Sequence, residues 1–132
     1  MKKLVIIPTY KERENIEKII YAILSIEKDY HVLIIDDNSP DGTAEIVMGI
    51  QKIKADSVFL IQRSGKLGLG TAYILGFEWA LQRGYTHIFE MDADFSHDPK
   101  DLERLYEACS LHGADLAVGS RYIRGGKLRI GL

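Results

Sequence analysis

Five short apolar runs, each separated from the next by a stretch of helical periodicity, limit how this chain folds. The runs are Leu4–Ile7, His31–Ile35, Ser57–Ile61, His87–Met91 and Ala114–Val118. Leu4-Val5-Ile6-Ile7 is continuous and rich in β-branched residues, as expected of a central parallel strand buried on both faces. Between the runs, apolar residues recur every three or four positions. They do so at Ile16, Ile19, Ile20, Ile23 and Leu24; at Ile46, Val47, Ile50 and Ile53; at Ala72, Leu75, Gly76, Trp79 and Ala80; and at Leu102, Leu105, Tyr106 and Cys109. This alternation predicts an α/β fold with a doubly wound, mainly parallel sheet and right-handed crossovers. The expected order of the first four strands is 3-2-1-4, with a ligand cleft beside strand 1 where the order reverses. The pattern does not place the fifth strand. Pro8 is expected to end the first.

Such a sheet presents the C-terminal ends of its strands along one edge, where open α/β folds bind ligands. Chemically loaded residues follow four of these ends. Pro8, Thr9, Tyr10, Lys11 and Glu12 follow the first strand; Asp36, Asp37 and Asp41 the second; Asp92 and Asp94 the fourth; Ser120, Arg121 and Tyr122 the fifth. Asp92 and Asp94 are two apart, so in extended backbone their carboxylates point to one side. Two adjacent anions repel unless a cation sits between them, and Mg²⁺ suits paired carboxylates facing substrate phosphates. Asp98 is a plausible N-cap for the next helix, with Pro99 at its first position.

Each feature has a plainer reading. The acidic pair fits a solvated turn, Asp36-Asp37 a turn cap, Tyr10 a surface aromatic and Arg121 a solvated cation. Together on one edge they suggest a nucleotide-diphosphate site. An acid after strand 2 can accept hydrogen bonds from a ribose, Tyr10 can pack on a base, and the planar fork of Arg121 matches a phosphate. No Gly-x-Gly-x-x-Gly follows strand 1, which argues against NAD or FAD. Gly68-Leu69-Gly70-Thr71 lacks the Gly-Lys-Ser/Thr ending of a P-loop, which argues against an ATPase.

The 132 residues predict one domain spanning 1–132. A net charge of −2 argues against a general nucleic-acid binder. Acids cease after Asp115, whereas Arg121, Arg124, Lys127 and Arg129 follow, so the charge is uneven along the chain. Cys109 is the single cysteine and permits no internal disulfide. No uncharged apolar run reaches the 18 or so residues of a membrane span, and the run after Lys2-Lys3 is too short for a signal peptide. The expected location is cytoplasmic, extending to the membrane surface.

The blocks Pro8-Thr9-Tyr10-Lys11-Glu12-Arg13-Glu14-Asn15-Ile16, Asp36-Asp37-Asn38-Ser39-Pro40-Asp41-Gly42-Thr43, Asp92-Ala93-Asp94 and Gly119-Ser120-Arg121-Tyr122 resemble family 2 glycosyltransferases of the GT-A fold, a Rossmann-like nucleotide-diphospho-sugar transferase architecture. The resemblance is nearest to the dolichol- or polyprenol-phosphate mannosyltransferase branch. It implies inverting transfer of mannose from GDP-mannose to a polyprenyl or dolichyl phosphate. It also implies roles for individual residues. Pro8, Tyr10 and Glu12 would line the nucleotide pocket, and Ile35 and Asp37 would contact guanine and ribose. Asp92 and Asp94 would hold Mg²⁺ or Mn²⁺ against the diphosphate, with Ala93 beside them. Ser96 stands where similar enzymes often carry a metal-binding Gln. Asp94 and Arg121 would serve catalysis, Arg121 near phosphate. No nucleic-acid partner is implied, and membrane contact would be peripheral.

Three other readings compete. A signalling receiver domain has similar length and an acidic pair, but there the pair ends strand 1 and a Lys follows strand 5. A non-catalytic or truncated nucleotide-sugar-binding module is a closer rival, because similar transferases continue well beyond the Gly-Ser-Arg-Tyr block with an acceptor-side segment. On that basis the isolated chain is expected to bind donor but to transfer weakly. A family 2 transferase using a UDP-sugar is the third.

Overall fold

The computed structural model describes residues 3–26, 30–65, 68–93, 114–118 and 121–124. Along the chain these form β1 (Lys3–Thr9), α1 (Ile16–Leu24), β2 (Tyr30–Asp36), α2 (Thr43–Ile53), β3 (Val58–Gln62), α3 (Leu69–Gln82), β4 (His87–Glu90), β5 (Ala114–Val118) and β6 (Arg121–Arg124). One sheet has the order β3-β2-β1-β4-β5-β6. Its first five members are parallel to their neighbours, and β6 runs antiparallel to β5. The expected 3-2-1-4 core is present, and β5 adds beside β4. The fourth helical pattern, from Leu102 to Cys109, and the Asp98-Pro99 helix start lie outside the described residues.

Strand alternation sorts the core into two layers. Val5, Ile7, Val32, Ile34 and Phe89 face one side, where they meet Ile16, Ile19, Ile20 and Ile23 of α1 and Val47 and Ile50 of α2. Leu4, Ile6, Leu33, Ile35 and Ile88 face the other, under Ala72, Tyr73, Phe77 and Ala80 of α3. Both faces of β1 and β2 are therefore apolar, which explains why their sequences read as unbroken runs rather than alternating ones. α3 lies very close to the sheet at Gly76. A β-carbon there would fall 2.7 Å from Cδ1 of Ile6 and 3.2 Å from Cδ1 of Ile35. Among the described residues, no helix is long and apolar enough to cross a membrane.

One expectation needs correction. Pro8 does not end the first strand, which continues to Thr9 with Pro8 in register with Ile35. The carbonyl of Ile6 accepts from Met91 N on the β4 side. Backbone groups two residues apart in a strand face the same neighbour, so Pro8 also faces that side. The β1–β4 ladder stops at Ile6↔Glu90, so no ladder hydrogen bond is lost. Arg121 and Tyr122 follow the fifth strand as expected, and the structure adds that they belong to a further strand. They begin β6, with Val118↔Arg121 and Ala117↔Tyr122 paired. A four-residue strand flanked by arginines has too little apolar periodicity to be read from sequence.

Candidate functional site

The ends of β1 and β2 form one hydrogen-bonded unit. Asp36 is fully buried. It accepts hydrogen bonds from Thr9 Oγ1 at 2.7 Å, Ser39 N at 3.0 Å and Ser39 Oγ at 2.7 Å. Asp41 accepts from the backbone N–H of Arg13 and from the N–H and hydroxyl of Thr43. Burial works to raise the Asp41 carboxyl, but these hydrogen bonds outweigh it and hold its pKa below the ordinary carboxylate value. The β1 loop is tied across by Lys11 N donating to Ser39 Oγ at 2.9 Å and Glu12 N donating to Thr43 Oγ1 at 3.1 Å. Lys11 and Asn38 adopt left-handed backbone, with φ of 56° and 54°. Asn tolerates this region, whereas a Lys there is strained by about 1 kcal/mol or more. The bond from Lys11 N to Ser39 helps hold that conformation.

Asp37 differs from its neighbour. Its side chain is 10% exposed and forms a bidentate ion pair with Arg63, through Nε to Oδ1 and Nη2 to Oδ2. Arg63 follows β3 and was not singled out by the sequence. Its Nη1 also donates to Thr71 Oγ1 at 2.8 Å, and its Nη2 to the Gly68 carbonyl at 3.1 Å. One guanidinium thus fastens the β2 end to the start of α3. The fork fixes the plane of the Asp37 carboxylate, which keeps further lone pairs for a ligand donor. The sequence signal was slight: an Arg just after a strand, before the loop marked by Gly65, Gly68 and Gly70.

The other expected residues fall into three groups. Pro8 and Glu12 are partly exposed, and Tyr10 is exposed with Lys11 Nζ 5.4 Å from its ring centre. These line the same edge as Asp37. Ile35 and Ala93 are buried. Ile35 is fully covered and packs under α3, and Ala93 joins the core beneath α1 and α2. Both therefore back the wall, and the expected contact of Ile35 with guanine and ribose is not available to its side chain. Asp92 is partly exposed and accepts a hydrogen bond from Tyr73 Oη at 3.2 Å. Tyr73 was read only as part of a helical stripe, but a tyrosine in such a stripe needs a partner for its hydroxyl. Asp94 and Ser96 lie outside the described residues. Arg121 stands at the same sheet edge by register, opposite Val118.

Glu90 is the second residue the sequence reading passed over. It ends β4, in register with Ile6 and Val118, and is 1% exposed. Among the described residues, neither carboxyl oxygen has a hydrogen-bond partner. Burial, with a smaller contribution from the charge of Asp92, pushes its pKa up to about 8. Among the described residues, no three His, Cys, Asp or Glu side chains converge on one metal position.

A sequence model of the glycosyl transferase family 2 matches residues 4–130. The chain belongs to glycosyl transferase family 2. Over 128 residues it is 48% identical to the polyprenol monophosphomannose synthase of Mycolicibacterium smegmatis, covering 97% of this chain and 48% of the relative. The undecaprenyl-phosphate mannosyltransferase of Micrococcus luteus is 44% identical, with 97% and 51% covered. The dolichol-phosphate mannosyltransferase of Pyrococcus furiosus is 40% identical, with 97% and 35% covered. The chain thus spans about half, or less, of the length of these relatives. Among solved structures, the mannosyltransferase PcManGT from Pyrobaculum calidifontis, in complex with GDP-Man and Mn²⁺, superposes with a TM-score of 0.66 at 23% identity, covering 83% of this chain and 32% of that one. S. aureus TarS gives a TM-score of 0.66 at 21% identity, with 87% and 34% covered. These likenesses establish the glycosyltransferase fold of this family member.

Proposed function

We propose that this family 2 chain carries the donor-binding part of a polyprenyl-phosphate mannosyltransferase. It binds GDP-mannose with a divalent cation, Mg²⁺ or Mn²⁺, and the mannose passes with inversion to a polyprenyl or dolichyl phosphate. The observation that carries this reading is the sheet edge itself. A pre-set nucleoside wall made by the β1 and β2 loops stands one strand away from Asp92, in a chain matched almost end to end by lipid-phosphate mannosyltransferases.

Asp37, fixed by Arg63, accepts hydrogen bonds from the nucleoside, while Tyr10 offers a ring to the base and Pro8 and Glu12 line the pocket. The β4 end fits a cation. Its ligating groups are hard carboxylate oxygens, and those of Glu90 are buried without a partner among the described residues. Asp92 and Asp94 would hold the ion, with Ser96 a further candidate ligand. When bound, the ion stabilises the negative charge that develops on the departing diphosphate. Arg121 adds positive charge at the same edge. No general base is required, because a phosphate monoester with a second pKa of about 6 is already a dianion near neutral pH. A lipid-linked acceptor also calls for work at the cytoplasmic membrane surface, by peripheral contact.

Calorimetry against GDP-mannose, UDP-glucose and UDP-N-acetylglucosamine, each with and without Mn²⁺, tests the donor. GDP-mannose should bind, and the metal should tighten it. Preference for a UDP-sugar would refute the guanine assignment, and no metal effect would refute the role of Asp92. Radiolabelled mannose transfer to a polyprenyl phosphate in detergent tests the reaction.

A further inference from the structure

Thr71 is an exposed residue in the first turn of α3, and the nucleoside wall is braced on it. The ion pair between Arg63 and Asp37 is nearly buried, with side chains 8% and 10% exposed. Arg63 stands just beyond β3, and its backbone N–H donates to the Asp36 carbonyl at 2.8 Å. The inner edge of its guanidinium, Nε and Nη2, holds Asp37. The outer edge is held from α3: Nη1 donates to Thr71 Oγ1 at 2.8 Å, and Nη2 to the Gly68 carbonyl at 3.1 Å. These two acceptors are themselves joined, because Thr71 Oγ1 donates to the Gly68 carbonyl at 2.9 Å. Gly68 has a φ of 99°, and a β-carbon there would touch nothing within 4 Å. Glycine is therefore needed for its backbone, which leaves its carbonyl facing Arg63 and Thr71.

A guanidinium and a carboxylate joined as a fork lie in one plane. The inner lone pair of each Asp37 oxygen is taken by the fork, so the outer lone pairs lie in that same plane. Whatever sets the tilt of Arg63 then sets the direction from which a ligand N–H meets Asp37. The fork alone does not fix that tilt, since it can swing with the long arginine side chain. The Thr71 hydroxyl and the Gly68 carbonyl pin the opposite edge. We propose that Thr71 is a positioning residue for base recognition: through Arg63 it holds the Asp37 carboxylate in the plane of the incoming base, and the wall so selects a base with a ring N–H, which guanine carries at N1 where adenine presents an acceptor. The inference deepens the donor-site reading given above and rests on it. Hydrogen bonds weaken steeply as they bend, so a tilted carboxylate is felt by the base and not by the phosphates. The relay runs through Thr71, Arg63 and Asp37 and is independent of the cation.

The test uses the whole 132-residue chain and calorimetry with GDP and with ADP, each with Mg²⁺. The two nucleotides share ribose, diphosphate and metal, so their ratio isolates the base. Thr71→Val removes the hydroxyl at equal volume, and Thr71→Ser restores it. The parent should prefer GDP roughly tenfold or more, the worth of a hydrogen bond to a charged acceptor. Thr71→Val should lose GDP affinity roughly 2- to 10-fold, with ADP affinity within about twofold of the parent. Thr71→Ser should recover the GDP preference. Urea midpoints are measured on the same samples. An equal loss for GDP and ADP, or a lowered urea midpoint with GDP affinity unchanged, makes Thr71 structural only; either result overturns the proposal and leaves the donor-site reading standing. A parent chain that binds GDP no better than ADP overturns the guanine assignment, and the proposal falls with it.

Discussion

At the ends of β1 and β2, Asp36, Asp37 and Asp41 accept hydrogen bonds from Thr9, Ser39, Arg63, Arg13 and Thr43. At the end of β4, among the described residues, Glu90 accepts none and Asp92 accepts one, from Tyr73. The first region holds its geometry without a ligand, because nearly every carboxyl oxygen is already answered. The second is not closed by hydrogen bonds from its own described residues. A nucleoside-binding wall gains from being pre-set, since less ordering cost is then charged against binding. A cation site is different. Under the proposed function its carboxylates would repel one another until a cation is bound.

Breaking the locked region should give the largest effect. Arg63→Ala leaves the Asp37 carboxylate nearly buried and unpaired, and such losses cost about 3–5 kcal/mol. Urea unfolding should show this as a lower midpoint, and GDP affinity should fall with it. Arg63→Lys should recover only part, since an ammonium cannot reproduce the two parallel bonds. If Arg63→Ala keeps both stability and GDP affinity, the β2 end is not held by this pair.

The β4 end should reveal itself through pH. Glu90 has its pKa raised from 4.5 to about 8 in the folded chain. Between those values the folded state binds the proton that the unfolded state has released. Its stabilising contribution is therefore fully present below pH 4.5 and is lost as pH rises through about 8. The ceiling on this loss is on the order of 5 kcal/mol. Urea midpoints without metal or nucleotide, compared between the parent and Glu90→Gln across this range, isolate it from the histidines. The variant should be flatter and should exceed the parent at the alkaline end; parallel curves would mean that Glu90 is not buried as described.

Two smaller effects sharpen the contrast. Gly76→Ala pushes a methyl into Ile6, the β1 neighbour of Glu90 in register. It should cost about 1–3 kcal/mol, relieved in part by Ile6→Val, as thermal or urea melts would show. Thr43→Val removes the hydroxyl that donates to Asp41 and accepts from Glu12 N. It should cost about 1 kcal/mol. Loss of GDP affinity in this variant without loss of global stability would show that the loop pairing serves the site more than the fold.

The sequence by itself determined β1 to β5, the helices α1 to α3 and the edge on which chemistry gathers. These follow from local information: runs of Leu, Val and Ile in β1 and β2, helical spacing in α1 to α3, and Asp92 placed just beyond a strand. It also pointed to the family, because motif blocks are contiguous in the chain. The tertiary structure decided which carboxylates are structural and which are poised. Asp36 and Asp37 are adjacent in sequence, yet one faces Thr9 and Ser39 inside the loop and the other faces Arg63, 26 residues away. Tyr73 reaches Asp92 across 19 residues. Glu90 looked like an ordinary acid in an apolar strand until the packing of α3 and β1 around it removed water. Periodicity reports which way a side chain points along its own element. It does not report the identity of the group it meets there, because that group comes from another part of the chain and is set only when the layers close.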